Sequence, residues 1–313
     1  MGRFCFGIDV GGTSVKCGLF KVSGELVEKW EIPTHTENNG NYILPDAAKS
    51  IQDKMAARLL SKEDVAGIGI GVPGPVKADG TVDVAVNIGW GYKDIIGEIQ
   101  DLTGITAKAG NDANVAALGE MWKGGGEGYR NLIFVTLGTG VGGGIIVDGK
   151  IITGAHGAGG EIGHARVDLN EEEVCNCTNR GCLEQKASAT GIARLARREL
   201  AASKEDSVLR EAEEVSAKAV FDAYKQQDAL AVRIVEKFAE VLGNSLAIYA
   251  CVVDPDVIVI GGGVSKAGQV LIDVVKRYFT RDAFPACRDT DIVLAQLGND
   301  AGIYGAAKMI LDA

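Results

Sequence analysis

Residues 4–20 read FCFGIDVGGTSVKCGLF, and residues 131–147 read NLIFVTLGTGVGGGIIV. In the first stretch the apolar residues of Phe4 to Asp9 alternate, the chain turns at Gly11 and Gly12, and the pattern resumes from Val15 to Phe20. That is a hairpin with a glycine tip, and a third strand is expected from Leu26 to Ile32. The second stretch repeats the design around a Gly/Thr tip, and the Asp148-Gly149 turn leads into a further strand. One chain therefore carries two copies of a strand, glycine turn, strand unit.

Helical periodicity is expected from Asp46 to Leu60, Ile95 to Leu102 and Ala113 to Met121. Short buried strands stand between these helices, from Val65 to Val72 and Ile105 to Ala109. Ala187 to Cys251 reads as almost wholly helical, with a break near Ser203 to Ser207. Val257 to Ile260 is a buried strand running into Gly261, Gly262 and Gly263, with a helix following to Phe279 and a last helix starting near Ala301. Alternating strands and helices predict an α/β fold, and the repeated hairpins predict mixed sheets.

At 313 residues with 46% hydrophobic content, the chain is long enough for two cores, so two lobes with a cleft between them are expected. Lys plus Arg is 32 against 42 for Asp plus Glu, a net charge of -10. No basic run could neutralise a phosphate backbone, which argues against a nucleic-acid partner. The opening MGRFCFGIDVGG lacks the apolar stretch of a signal peptide, and no run approaches the roughly 20 apolar residues that span a bilayer. A soluble, cytoplasmic protein with no membrane partner is expected. The seven cysteines fit a reducing compartment: Cys175, Cys177 and Cys182 crowd together, while Cys5, Cys17, Cys251 and Cys287 read as small core residues.

Short glycine turns expose successive backbone N–H groups and bind phosphate oxygens, so two tips could grip one polyphosphate. Neither is a Walker sequence, and Lys16 falls inside the second strand. Gly138, Gly140 and Gly143 have G-x-G-x-x-G spacing, but a strand follows where a dinucleotide fold requires a helix. Simple hairpin turns are the other reading. Asp9, at the end of a buried strand before the first tip, is placed to hold Mg²⁺ through water or merely to cap the turn. Asp112, in Asn111-Asp112-Ala113-Asn114 between a strand and a helix, is either a helix cap or the carboxylate that takes a proton from an attacking hydroxyl. His164, Cys175, Cys177 and Cys182 form the ligand set of a closed tetrahedral zinc site, which would brace a loop. Three unrelated thiols and a surface histidine are the alternative.

These motifs together resemble the ROK family of bacterial sugar kinases and repressors, most closely its glucokinases, along essentially the whole chain. DVGGTSVKCGLF resembles the first phosphate loop, TLGTGVGGGII the second and VIVIGGGVSKAG the adenosine-side segment. HGAGGEIGH followed by CNCTNRGCLEQKAS resembles the family signature and its zinc loop. The resemblance implies a two-lobed actin/hexokinase-like (ribonuclease H-like) fold. It implies Asp112 as the catalytic base and Asn111, Glu161, His164 and Glu184 as holders of sugar hydroxyls, with Asn87 of NIGW and Gly74 of VPGP lining the pocket. His164 would serve both zinc and sugar. Asp9, Gly11, Gly12, Thr13, Lys16, Gly138, Thr139 and Gly140 would surround the phosphates of ATP and Mg²⁺, with Gly262 and Gly263 near the adenosine. One departure stands out: the family usually has Gly after the second cysteine of the zinc loop, where this chain has Thr178.

The lobes are expected to divide as residues 1–110, with the helix of 299–313 packed on them, and residues 111–298. The expected reaction is ATP-dependent phosphorylation of a hexose, glucose first, with N-acetylmannosamine, fructose and allose as alternatives and polyphosphate as a possible donor. A sugar-responsive repressor would need a DNA reader before Phe4. An ATP-driven conformational machine would lack the sugar residues. A homodimer, or else a homotetramer, is expected from the resemblance.

Overall fold

The computed structural model describes residues 2–312 and contains two five-stranded sheets built on one plan. The first half of the chain runs β1 (Phe4–Val10), β2 (Ser14–Lys21), β3 (Leu26–Pro33), α1 (Ile43–Ala57), β4 (Val65–Val72), β5 (Thr81–Val82), β6 (Lys93–Asp94), α2 (Ile95–Thr103) and β7 (Ala107–Asn111). α3 (Asp112–Lys123) follows and leads into β8 (Leu132–Leu137), β9 (Val141–Val147) and β10 (Lys150–Ile151). Then come α4 (Glu184–Ala187), α5 (Ala189–Ala202), α6 (Ala217–Lys225), α7 (Ala229–Val253), β11 (Val257–Gly261), α8 (Gln269–Asp282), β12 (Asp291–Leu294) and α9 (Ala301–Leu311).

The sheet orders are β3-β2-β1-β4-β7 and β10-β9-β8-β11-β12. In each, a hairpin and its third strand pair antiparallel, and two further strands join parallel to the hairpin's first strand. The predicted α/β class and mixed sheets are present, and both glycine tips sit at the hairpin turns assigned to them.

The sequence VAGIGIGV of β4 explains how its sheet is covered on both faces. Ile68 and Ile70 point into a core with Phe6, Ile8 and Ile51. On the opposite face three adjacent strands carry glycine where the backbone of α9 comes closest. Gly18, Gly7 and Gly69 stand side by side across β2, β1 and β4. A Cβ at Gly7 would overlap the Ile303 carbonyl, and one at Gly69 the Ala306 carbonyl. Glycine is required here by close approach of helix backbone to sheet backbone. Around this seat Ile303, Ala307 and Ile310 bury against Cys5 and Phe20. Burying such side chains contributes roughly 1.5–3 kcal/mol each for the larger ones. A separate core joins α5 to α8 with the second sheet.

Four sequence expectations are corrected. The strand expected from Ile105 begins at Ala107, after Gly104 ends α2 in a left-handed turn. The helical run from Ala187 breaks three times: at Ser188, which caps α5, over 203–216, and at 226–228, where Asp228 caps α7. The glycine triplet is followed by a 3₁₀ turn, Gly263–Ala267, and α8 starts only at Gln269. Cys251 is exposed, whereas Cys5, Cys17 and Cys287 are buried as expected. The periodicity gave no signal for β12, whose pattern is only partly buried. Among the described residues no helix is long and apolar enough to cross a membrane.

Candidate active site

Parallel pairing brings the carboxyl ends of three strands to one level: Asp9 of β1 lies beside Gly71 of β4, and Gly71 beside Gly110 of β7. Ligands of open α/β sheets bind at this edge. Asp9 is half-buried, and the loss of solvent around it pushes its carboxyl above the ordinary value, with Lys16 partly opposing the rise. Lys16 is its cross-strand partner, and the Lys16 Nζ donates to the Asn299 carbonyl at 3.3 Å. The Asp9 carboxylate rests on the first turn of α9, where a Cβ on Gly302 would come within 2.6 Å of its Oδ2.

α3 begins where β7 ends. Its N-cap is Asn111, whose Oδ1 accepts the Asn114 N–H at 3.1 Å. The Asn111 Nδ2 donates to the Gly74 carbonyl at 3.1 Å, leaving one N–H and one lone pair on the amide for a ligand. Asp112 is therefore not the cap. Its carboxylate accepts the neighbouring Ala113 N–H, at 2.8 Å. Burial pushes its carboxyl up to about 6, and the like charges of Asp9 and Glu161 act in the same direction, against the Ala113 N–H. A carboxylate with that value is a competent proton acceptor near neutral pH.

Glu161 is brought to this position by a contact that the sequence reading missed. Asn114 Nδ2 donates to the Gly159 carbonyl at 3.1 Å, fastening the loop before Glu161 to the first turn of α3. Its Oδ1 is the one buried side-chain oxygen or nitrogen without a partner among the described residues. The same loop reaches the first half of the chain, because Gly157 lies against the main chain of Val76. The sequence signal was present in NDAN, whose second asparagine faces inward one turn after the cap.

His164 ends the short 3₁₀ turn after Glu161. Its Nδ1 lies 3.8 Å from Cys175 Sγ, and its Nε2 lies 4.0 Å from Glu161 Oε2. The ring thus faces the thiols on one side and the acidic site on the other. Cys177 and Cys182 Sγ are 3.5 Å apart, and all four candidate ligand atoms lie within 4.8 Å of one another. A tetrahedral ion with Zn–S bonds of about 2.3 Å needs S···S separations of about 3.8 Å, so the residues fit zinc. Burial, then Cys177 and Cys175, push the Cys182 thiol up to about 12. A bound cation would reverse that and hold all three as thiolates. At the tip of this loop Thr178, with φ of 73°, occupies the left-handed region, which accounts for glycine being usual there.

Two side-chain systems hold the loop to the protein. Gln185 Oε1 accepts the Gly181 and Cys182 N–H groups at 2.8 and 3.1 Å, and its Nε2 donates to the Glu173 carbonyl at 3.0 Å. Glu171, almost fully buried, takes Lys186 at 2.8 Å and Arg194 at 3.3 Å. Burial alone would raise the Glu171 carboxyl, but Lys186, the Glu173 N–H and Arg198 outweigh it and pull it down to about 2. Neither residue was singled out from the sequence.

Glu184 connects this loop to the second glycine turn. Its Oε2 accepts the Val141 N–H at 3.1 Å and occupies the space a Cβ on Gly140 would fill. Gly138 donates to the Gly140 carbonyl at 3.0 Å, and Gly11 to the Ser14 carbonyl at 3.0 Å, closing the two tips. Thr13 and Thr139 are exposed at their summits. Asn87 is exposed on a 3₁₀ turn, with its carbonyl beside Gly12. Gly262 has φ of 83°, and a Cβ there would lie 2.6 Å from the Leu137 backbone, so only glycine lets this turn pack beside the second tip. Gly263 faces open space.

Comparison with known proteins agrees along the whole length. The family model described as "ROK family" matches residues 5–313. A glucokinase of Halalkalibacterium halodurans is 42% identical over 98% of this chain and 95% of its own. A glucokinase of Thermotoga maritima is 34% identical over 97% of this chain and 96% of its own. The solved structure of a ROK glucokinase from Streptomyces griseus with glucose and AMPPNP is 30% identical, covers 99% of this chain and 100% of its own, and superposes with a TM-score of 0.77. The duplicated sheet plan is accordingly the actin/hexokinase-like fold, and this chain belongs to the ROK family.

Proposed function

We propose that this protein is a glucokinase that transfers the γ-phosphoryl group of ATP to a hydroxyl of glucose. The likeness to the glucokinases of H. halodurans, T. maritima and S. griseus supports the activity. The observation that carries the mechanism is Asp112: a half-buried residue whose carboxyl is pushed up to about 6 by desolvation, released from capping duty, at the strand edge that also carries Asp9.

In this reading Asn111, Glu161, His164 and Glu184 hold the sugar hydroxyls, with Gly74 and Asn87 at the rim. Asp112 takes the proton as the hydroxyl oxygen bonds to the γ-phosphorus, and the bond from phosphorus to the β,γ-bridging oxygen breaks with its electrons leaving on ADP. Backbone N–H groups of Gly12, Thr13, Thr139 and Gly140 would face the phosphates with Lys16, on tips that the Gly11 and Gly138 N–H groups hold closed, and Gly262 and Gly263 would border the adenosine. Asp9 would hold Mg²⁺, which neutralises charge on the phosphates; a carboxyl raised by desolvation fits a cation site. His164, Cys175, Cys177 and Cys182 would hold a structural zinc ion that keeps the His164 ring oriented. Closure of the lobes, 1–110 with 299–313 against 111–298, would exclude water as a competing acceptor.

The test is a coupled assay over hexoses and donors. Glucose with ATP is expected to give the highest kcat/KM. A higher value with N-acetylmannosamine, fructose or allose would reassign the sugar, and one with polyphosphate would reassign the donor. No sugar-dependent phosphate transfer in any pairing would refute a kinase.

A further inference from the structure

Glu120 is wholly buried, and no lysine, arginine or histidine pairs with it among the described residues. Its partners are three backbone N–H groups. Oε2 accepts Gly125 N–H at 2.8 Å and Gln296 N–H at 2.9 Å, and Oε1 accepts Leu297 N–H at 2.8 Å. A buried carboxylate is costly unless its lone pairs are used. One bond here is local, to the chain leaving α3, and the other two reach the turn from β12 into α9.

The far end of the same turn reaches the donor side of the site. Asn299 O accepts Lys16 Nζ, and Asp300 pairs with Lys29 of β3 at 2.7 Å. Two residues on, Gly302 of α9 abuts the Asp9 carboxylate. Between the clamped ends, Gly298 has φ of 55° and nothing around its Cβ position. The turn is thus fixed at one end by Glu120 and at the other by the lysines of the first sheet. α3 carries Asp112 at its first residue and Glu120 in its last turn, so one rigid helix sets both the acceptor side and the donor side.

We infer that Glu120 is a positioning residue for nucleotide binding: by holding Gln296 and Leu297 it sets the turn through which Lys16 and Asp9 meet the phosphates. This rests on the proposed placing of Lys16 and Asp9 on the donor side. Glu120→Gln keeps the shape but presents an N–H where a backbone N–H already points, so the turn loses part of its anchor.

The experiment compares Glu120→Gln, Lys16→Met and the double variant, reading the KM for MgATP, kcat and the directly measured Kd for glucose. Glu120→Gln is expected to raise the nucleotide KM about tenfold or more and to leave the glucose Kd within about twofold. Its effect is expected to be non-additive with Lys16→Met, because both act on one turn. If Glu120→Gln lowers Tm alone and leaves the nucleotide KM within about twofold, or moves glucose Kd and nucleotide KM equally, the inference is overturned. If Lys16→Met is silent while Glu120→Gln raises the nucleotide KM, Glu120 stands and the placing of Lys16 in the site fails. Should Glu120→Gln not fold, Gly298→Ala strains the same turn from an open position, and an unchanged nucleotide KM in that variant overturns the inference as well.

Discussion

Asn111 accepts the backbone N–H of Asn114 at 3.1 Å and so takes the role of helix cap that Asp112 would otherwise fill. A capping carboxylate would hold its lone pairs on the helix N-terminus and lose basicity. Asp112 is left without that duty, and in the proposed mechanism its lone pairs serve the acceptor hydroxyl. Asp112→Asn is therefore expected to cut kcat by ~10²–10⁴-fold, the usual share of a general base, with the glucose Kd nearly unchanged. Near-parental kcat in this variant would remove Asp112 from the mechanism.

The raised carboxyl also sets a pH dependence. With Asp112 as the proposed base, activity requires its deprotonated form, so kcat/KM is expected to fall below an apparent pKa of about 6 as the free enzyme's Asp112 takes up a proton. The profile is measured at saturating Mg²⁺; an acid limb near pH 4 would contradict the desolvated, crowded environment.

Stability runs the opposite way to activity. With a folded pKa of about 6 against about 3.9 unfolded, the folded state binds more protons between those values, so stability falls as pH rises through that window. Two units at 1.36 kcal/mol each set an upper bound of about 3 kcal/mol. Asp112→Asn lacks this penalty. Its Tm is expected to exceed the parent's above pH 6, and the gap is expected to close toward pH 4.

Removing the proposed zinc ion is expected to act on the sugar and not on the nucleotide. Cys177→Ser, or chelation of the parent, is expected to lower Tm and raise the glucose KM by about 10–100-fold, since His164 then loses its orienting bond. The nucleotide KM is expected to stay within about threefold. Elemental analysis of the parent is expected to give one zinc per chain, lost in Cys177→Ser.

Thr178 holds a left-handed conformation at the tip of the cysteine loop, which costs a β-branched residue roughly 1–2 kcal/mol. Thr178→Gly removes that strain but adds unfolded-state entropy. The expected net gain is roughly 0.5–1 kcal/mol, read as a small rise in the Tm of the metal-loaded protein with kcat unchanged.

Much of this was legible in the sequence because it rests on local chemistry. Glycine turns, the Cys/His spacing and the carboxylate after β7 all announce themselves within a few residues, and each lies where it was expected. What stayed hidden acts across distance. Glu120 meets Gln296 and Leu297 from more than 170 positions away. Asn114 fastens a loop that begins some 40 residues later, and Glu171 and Gln185 read as ordinary polar residues until the loop folds over them. The exposure of Cys251 likewise depends on which face of α7 the core leaves uncovered.

The glycine seat under α9 has a consequence for biosynthesis. The strands of the first sheet are complete by Asn111, but the helix that covers its bare face spans Ala301–Leu311. While the chain is being made, α3 can cover the part of that face at Gly71 and Gly110, but the seat at Gly7, Gly18 and Gly69 stays wet until Ala301–Leu311 has been synthesised. The first sheet is therefore made before the second but roofed after it, and a stop codon shortly before Ala301 would leave its earliest strands without that cover.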